Sequence, residues 1–124
     1  MENSKKIQKY MNSAREWLRA AEKVVEAEPN PAAFNALHAI ELAAKACLMD
    51  ETGEEFTTHQ IGGSFGKHFR EEIGERKAKR LNRLMMEYSR LRYPNAKSIN
   101  SEESKKILKF AKEFVKDTVP TLLQ

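Results

Sequence analysis

Residues 31–50 read PAAFNALHAIELAAKACLMD and form the most apolar stretch of the chain. On a helical wheel at about 100° per residue, apolar side chains cover almost the whole circumference. The alanines at positions 36, 39, 43 and 46 share one face, where a neighbouring helix can approach closely. A helix that is apolar all round is a buried helix. The stretch therefore predicts a central core helix that has Asn30 as its N-cap, begins at Pro31 and ends near Asp50.

A narrow polar stripe interrupts this apolar helix. His38, Glu41 and Lys45 lie within one strip of the wheel, together with Phe34, at the spacing that lets side chains touch along a helix. In one interpretation Glu41 and Lys45 form a solvated pair at the edge of a bundle, and His38 is hydrogen-bonded inside. In the other, the stripe lines a cleft or a dimer interface, because buried charges are costly unless they are paired.

Four further segments repeat apolar residues at steps of three and four, at about 4–27, 58–69, 75–93 and 100–123. Thr58 is a candidate cap for the short second segment, and Pro94 ends the third by disfavouring helix at Tyr93. Asn100 and Glu103 have the spacing of a capping box. We find no alternating strand pattern. The sequence predicts an all-α fold, an antiparallel up-and-down bundle of four long helices plus one short helix, in a single domain over residues 1–124.

The composition favours a folded protein of the cytoplasm. The chain has 124 residues, 40 % hydrophobic and 32 % charged, which suits a packed interior. The single cysteine, Cys47, lies in an apolar stretch and is expected to be a buried, inert thiol. No segment approaches the roughly 20 uninterrupted apolar residues of a membrane span, and the first residues lack a signal-peptide core. We therefore expect no membrane association.

The basic residues are unevenly distributed. The stretch 76–97 holds eight of them against a single acidic residue, Glu87. On the wheel, one outward stripe contains five of the eight: Arg76, Lys79, Arg80, Arg83 and Arg90. Such a stripe is a candidate surface for RNA, nucleotide phosphates or an acidic protein, and it is equally typical of a solvated helix face.

Arg92 departs from that stripe and falls on the apolar face of the same helix. A guanidinium that points inward near the end of a helix is expected to pair with Glu41 or to receive a phosphate, because both suit its bidentate geometry. Tyr93 follows it directly. His38, Glu41, Lys45, Arg92 and Tyr93 are therefore the candidate ligand or interface residues.

Two kinds of site are excluded by spacing. The glycine-rich run before Lys67 is one residue short of a Walker motif and is not followed by Ser or Thr. The three histidines, His38, His59 and His68, lack the short spacing of zinc ligands, and no Cys or Asp completes a set. No metal and no cofactor is expected.

Four stretches together resemble the HEPN family, small helical-bundle proteins of prokaryotes that are named for nucleotide binding, and in particular its stand-alone branch. They are AFNALHAIELAAKACL at 33–48, THQIGGSFGKHF at 58–69, RYPN at 92–95 and SEESKKILKFAKEFV at 101–115. The resemblance implies a bundle of four to five helices, a homodimer, and a minimal nucleotidyltransferase as the partner in a toxin–antitoxin pair.

Active members of that family look like metal-independent ribonucleases that use an Arg followed four to six residues later by a His. Neither Arg90 nor Arg92 is followed by a histidine at that spacing, and Tyr88 stands where the stand-alone branch often has an Arg. The resemblance therefore implies a non-catalytic binding module. The alternative is a ribonuclease with a rearranged site, in which His38 or His59 supplies the base beside Arg92.

Overall fold

A computed structural model of the chain describes residues 2–57, 61–91 and 98–123. Its helices are α1 (Glu2–Val24), α2 (Pro29–Thr52), α3 (Ile61–Ile73), α4 (Glu75–Arg90), α5 (Ser101–Glu113) and α6 (Val119–Leu122), with a π-helical turn, Phe114–Thr118, between α5 and α6. These ranges contain no β-strand. The predicted all-α fold is confirmed.

Contacts between helices set the chain directions. The start of α1 lies beside the end of α2, and the start of α4 lies beside the end of α5, so both pairs are antiparallel. The contacts that show this are Tyr10–Glu55 and Trp17–His38 for α1 and α2, and Lys77–Glu113 for α4 and α5. Ser104 of α5 contacts Pro29 at the start of α2, and Val119 of α6, which continues α5 beyond the π-helical turn, contacts Cys47 near the end of α2. The last two make α2 and α5 parallel. The four long helices therefore alternate in direction, and α3 forms a short hairpin with α4.

Helix α2 is the central helix, as predicted. Fourteen of its residues are buried, among them the alanines at positions 36, 39, 43 and 46. It is long and apolar enough to cross a membrane, yet 78 % of its most apolar window is buried inside the bundle. Burial of this kind is what the core helix of a water-soluble protein shows.

The predicted start of α2 is wrong by two residues. The helix begins at Pro29, and the preceding residue, Glu28, makes no capping hydrogen bond with its side chain. Proline is tolerated in the first turn because backbone N–H groups there have no partner within the helix. Asn30, the predicted N-cap, lies inside that turn. Its Oδ1 instead accepts a hydrogen bond of 2.6 Å from the backbone N–H of Ile99, before α5.

The hairpin of α3 and α4 depends on a close approach at Gly62. A Cβ atom at this position would lie 2.8 Å from the Cα of Asn82 on α4. Gly74 joins the two helices at a φ of 91°, a left-handed conformation that favours glycine. Helix α4 ends at Arg90, ahead of Tyr93, where Pro94 was predicted to disfavour helical geometry. Thr58 and Pro94, the predicted cap and stop, lie outside the described residues.

The capping of α5 is confirmed, since Oδ1 of Asn100 accepts a hydrogen bond of 2.8 Å from the N–H of Glu103. The π-helical turn at its end was not predicted. The N–H of Val119 bonds to the carbonyl of Phe114, five residues back, directly before Pro120. A proline has no N–H to continue the helical pattern, and a single wider turn is one way in which a helix passes such a residue.

Candidate functional site

The polar stripe of α2 forms a connected cluster. Oε1 of Glu41 lies 3.3 Å from Nδ1 of His38, and Oε2 lies 3.5 Å from Nζ of Lys45. Glu41 is 1 % exposed and Lys45 is 8 % exposed. The pair is therefore buried, and the interpretation as a solvated pair at the bundle edge is wrong. The predicted contact along the stripe is present.

Helix α4 adds a residue that the sequence did not single out as a partner. The hydroxyl of Tyr88 lies 2.7 Å from Nδ1 of His38, so this nitrogen is shared between a phenol and a carboxylate. Nε2 of His38 makes no hydrogen bond to any residue in the described ranges, and the side chain is 26 % exposed. The helical period placed Tyr88 on the inward face, but only the packing of α4 against α2 brings it to His38.

Aromatic rings surround the imidazole on the remaining sides. Trp17 of α1 meets it edge-on at 4.8 Å between ring centroids, and Phe34 of α2 is stacked in parallel at 6.5 Å. Phe34 also contacts Tyr88, at 5.1 Å. Trp17 is 38 % exposed, so an aromatic surface next to His38 is open to solvent. Exposed aromatic rings beside charged groups are the kind of surface on which nucleobases stack.

A second polar cluster lies near the end of α2 and joins two residues of α1 to the loop that follows α2. The phenol of Tyr10 donates a hydrogen bond of 2.7 Å to Oε2 of Glu55, and Nζ of Lys6 lies 3.3 Å from Oε1. The hydrogen bond from Tyr10, then the hydrogen bond and charge of Lys6, and finally the charge of Lys45 hold the pKa of Glu55 below its ordinary value. Burial, the Glu55 hydrogen bond and the charges of Glu55 and Glu41 raise the pKa of Tyr10 to about 12.

The outward stripe of α4 lies at the surface as predicted. Arg76, Lys79, Arg83 and Arg90 are exposed, and Arg80 is partly buried. Nζ of Lys79 lies 3.8 Å from Oε1 of Glu75, whereas the four arginines make no ion pair with any described residue. Among the described residues, seven exposed lysines do make one: Lys6, Lys77, Lys79, Lys105, Lys106, Lys112 and Lys116.

Beside this stripe a groove of about 440 Å³ runs between α3 and α4. It is lined by Gly62, Gly63, Asn82, Met85, Met86, Ser89 and Arg90. Met86 is a large apolar side chain that is 54 % exposed, whereas the other exposed residues of α4 are polar or charged. The groove was not predicted from the sequence, because it depends on the close approach of Gly62 to Asn82.

Three of the predicted residues cannot be placed beside this cluster. Arg92, Tyr93 and His59 lie outside the described residues, so the predicted pairing of Arg92 with Glu41 stays a prediction. His68 lies exposed on α3. In the part of the chain that the structure describes, no group of three or more His, Cys, Asp or Glu side chains comes together as metal ligands would.

Cys47 is buried, as expected, and its Sγ lies 4.0 Å from the carbonyl oxygen of Val119. Burial, with the charges of Asp50 and Glu51, raises the pKa of this thiol to about 12. A thiolate is the nucleophilic form of cysteine. The side chain is therefore a packing residue.

The helical fold agrees with one comparison with known proteins. The sequence profile of the HEPN domain matches residues 7–121, from within α1 to the last turn of α6. No curated protein and no solved structure matches the chain significantly. Because the profile covers nearly all of the bundle, including the stripe and α4, the chain belongs to the HEPN domain family.

Proposed function

We propose that this HEPN protein is a non-catalytic binding module that engages a nucleotide or RNA. The observation that carries the proposal is the arginine stripe of α4, whose four guanidinium groups have no acidic partner among the described residues. Arginine is weakly hydrated and binds phosphate oxygens in a bidentate manner. A row of unpaired arginines over about four helical turns is suited to a phosphate backbone.

The cluster around His38 supports the same proposal. It offers a partly exposed imidazole and the indole of Trp17 beside the buried pair of Glu41 and Lys45. A base can stack on the aromatic surface while the partly exposed imidazole of His38 holds its edge. In this proposal Arg92 and Tyr93 complete the ligand site, as the sequence predicts.

The experiment measures binding of a labelled single-stranded RNA by fluorescence anisotropy over a range of salt concentrations. We expect affinity that falls steeply with salt. Replacing Arg76, Arg80, Arg83 and Arg90 by Gln should weaken binding. It should also reduce the slope of log K against log[salt] by about 0.7 for each phosphate that the protein no longer neutralises.

A matched control removes the same net charge from another surface. Lys105, Lys106, Lys112 and Lys116 of α5 and the π-helical turn are paired with acidic residues, and their replacement by Gln should leave the slope nearly unchanged. Absence of binding at low salt contradicts the proposal. Equal weakening by the two variants shows that net charge, and not the stripe, is responsible.

The proposal includes a homodimer in the cytoplasm and a small nucleotidyltransferase as protein partner, in a toxin–antitoxin type of system. The exposed side chain of Met86 and the groove beside it support a protein contact there, since methionine is enriched at interfaces. Light scattering gives the oligomeric state. A neighbouring gene for a nucleotidyltransferase and co-purification of its product support the partner, and an isolated gene counts against it.

A second candidate function is a ribonuclease with a rearranged site. It is favoured by the shared Nδ1 of His38, because a carboxylate that orients one imidazole nitrogen leaves the other available as a general base. Incubation of the pure protein with RNA in the presence of a chelator decides between the two. Unchanged RNA at high protein concentration removes the ribonuclease, and so does cleavage that survives both His38→Ala and Arg92→Ala.

A further inference from the structure

The carboxylate of Glu55 is held by groups that are characteristic of an anion-binding site. The phenol of Tyr10 donates to one of its oxygens at 2.7 Å, and the ammonium group of Lys6 donates to the other at 3.3 Å. The charge of the buried Lys45 acts on the same carboxylate. We propose that Lys6, Lys9 and Tyr10 form a binding site for a phosphoryl group, and that Glu55 occupies this site when no ligand is bound.

The surroundings offer room for a ligand larger than a carboxylate. A cavity of about 370 Å³ opens at this point between α1, α2 and the loop that follows α2. It is lined by Lys6, Lys9, Tyr10, Ser13, Leu42 and Glu55. Glu55 is the single acidic side chain in this lining. Once it moves out, two ammonium groups and two hydroxyl groups face the cavity, all of them able to donate to phosphate oxygens.

Glu55 is placed where it can leave. It lies in an exposed loop that begins at Gly53, whose φ of 76° ends α2 in a left-handed conformation. Nδ2 of Asn3 donates a hydrogen bond of 3.3 Å to the carbonyl oxygen of Gly53, at the start of this loop. The ion pair between Glu55 and Lys6 is exposed to solvent. Exposed pairs of this kind contribute little free energy. A phosphoryl group carries more charge and more acceptor oxygens than the carboxylate, so it can displace Glu55.

Two properties of the donors favour an oxyanion. Tyr10, with its pKa raised to about 12, keeps its proton throughout the physiological range and so donates rather than accepts there. Lys9 also lines the cavity and makes no ion pair with any described residue, so its ammonium group is available to an anion. The site lies on α1 and α2, away from the arginine stripe of α4, and its existence does not depend on RNA binding by that stripe.

The test is a calorimetric titration with inorganic pyrophosphate at low salt, which measures the binding affinity. Glu55→Gln should raise the affinity about tenfold, because the negative charge of the carboxylate then neither competes with the anionic ligand nor repels it. Adding Tyr10→Phe or Lys6→Gln to that variant should remove most of the gain. Adenosine 5′-diphosphate and adenosine, compared in the same way, distinguish a nucleotide from free phosphate as the source of the phosphoryl group.

The matched control is Glu54→Gln, which removes the same charge from the neighbouring position of the loop. Glu54 does not line the cavity, and this variant should change the affinity by less than about twofold. An equal gain in the two variants, or no gain in Glu55→Gln, overturns the proposal.

Chemical-shift mapping on the unmodified protein gives a second readout that needs no variant. Pyrophosphate should shift the amide signals of Lys6, Tyr10 and Ser13. Shifts confined to α4 overturn this site and leave the arginine stripe as the anion-binding surface. The variant without the four stripe arginines should still bind pyrophosphate here, so failure of one proposal is distinguishable from failure of the other.

Discussion

At the scale of single residues, the stripe on α2 is defined by a buried carboxylate. Glu41 lies between His38 and Lys45, and all three belong to one face of one helix, so their proximity could be predicted from spacing. The burial of the pair could not, because it depends on which helices cover that face. Tyr88, Tyr10 and Glu55 were missed as partners for the same reason, since each comes from another segment of the chain.

Glu41→Ala should be strongly destabilising. It leaves the buried ammonium group of Lys45 without its nearest counter-charge, and we expect a decrease of about 3 kcal/mol in the free energy of unfolding. Urea denaturation measures this decrease. Glu41→Ala combined with Lys45→Met should recover a large part of it, because the buried ammonium group is then removed together with its partner.

A control for this prediction is the exposed pair of Lys106 and Glu102, 3.8 Å apart. Lys106→Ala should change the free energy of unfolding by at most about 0.5 kcal/mol. A decrease of similar size in Glu41→Ala and Lys106→Ala would show that the pair on α2 is not buried in solution.

Stability should fall as the pH rises from 9 to 12. The pKa of Cys47 rises from 9.0 to about 12 on folding, and that of Tyr10 rises from 10.0 to about 12. A group whose pKa is raised in the folded state contributes stability below its unfolded pKa and loses it as the pH passes through the folded pKa. Urea midpoints at pH 8, 10 and 11.5 measure the fall.

Two further measurements test whether Tyr10 and Cys47 cause this loss of stability at high pH. Tyr10→Phe should be less sensitive to pH above 10 than the unmodified protein. The thiol of Cys47 should stay unreactive toward a disulfide reagent at pH 8 until the protein unfolds. Rapid reaction of the native thiol would contradict its burial.

At the scale of helices, the two asparagines that were predicted as N-caps behave differently. The capping of α5 by Asn100 was predictable, because the donor lies three residues along the same chain. Asn30 has the same residue type at a similar place, yet its side chain bonds to Ile99. Two prolines already suit the first turn of α2, so the side chain of Asn30 is available for a tertiary contact.

The neighbouring glycines of α3 should respond to substitution in opposite directions. A Cβ at Gly62 would lie 2.8 Å from backbone and side-chain atoms of Asn82, so Gly62→Ala should force α3 and α4 apart and cost about 1–3 kcal/mol. Gly63 has nothing within 4 Å of such an atom. Gly63→Ala should therefore stabilise the helix by up to about 1 kcal/mol.

Thermal and urea denaturation of the two variants check this prediction. The substitution is the same in each, so the difference between them reports the contact with α4. Similar effects at both positions would contradict the close approach of α3 to α4.

At the scale of the whole molecule, we expect one cooperative unfolding transition. The described parts of α1, α2, α4 and α5 contribute to one continuous hydrophobic core. Trp17, the only tryptophan, reports on the contact of α1 with α2. Its fluorescence and the far-ultraviolet circular dichroism should give coincident urea transitions. Two separate transitions would contradict a single domain.

The sequence by itself determined that this chain is an α-helical bundle with α2 at its centre and a stripe of arginines along α4. These properties follow from helical periodicity, composition and capping, which act between residues a few positions apart. The tertiary structure alone decided that the pair of Glu41 and Lys45 is buried, that the hydroxyl of Tyr88 contacts His38, and that Glu55 accepts a hydrogen bond from Tyr10. Those contacts depend on the crossing angles and axial positions of helices, which are set by how side chains of distant segments interdigitate.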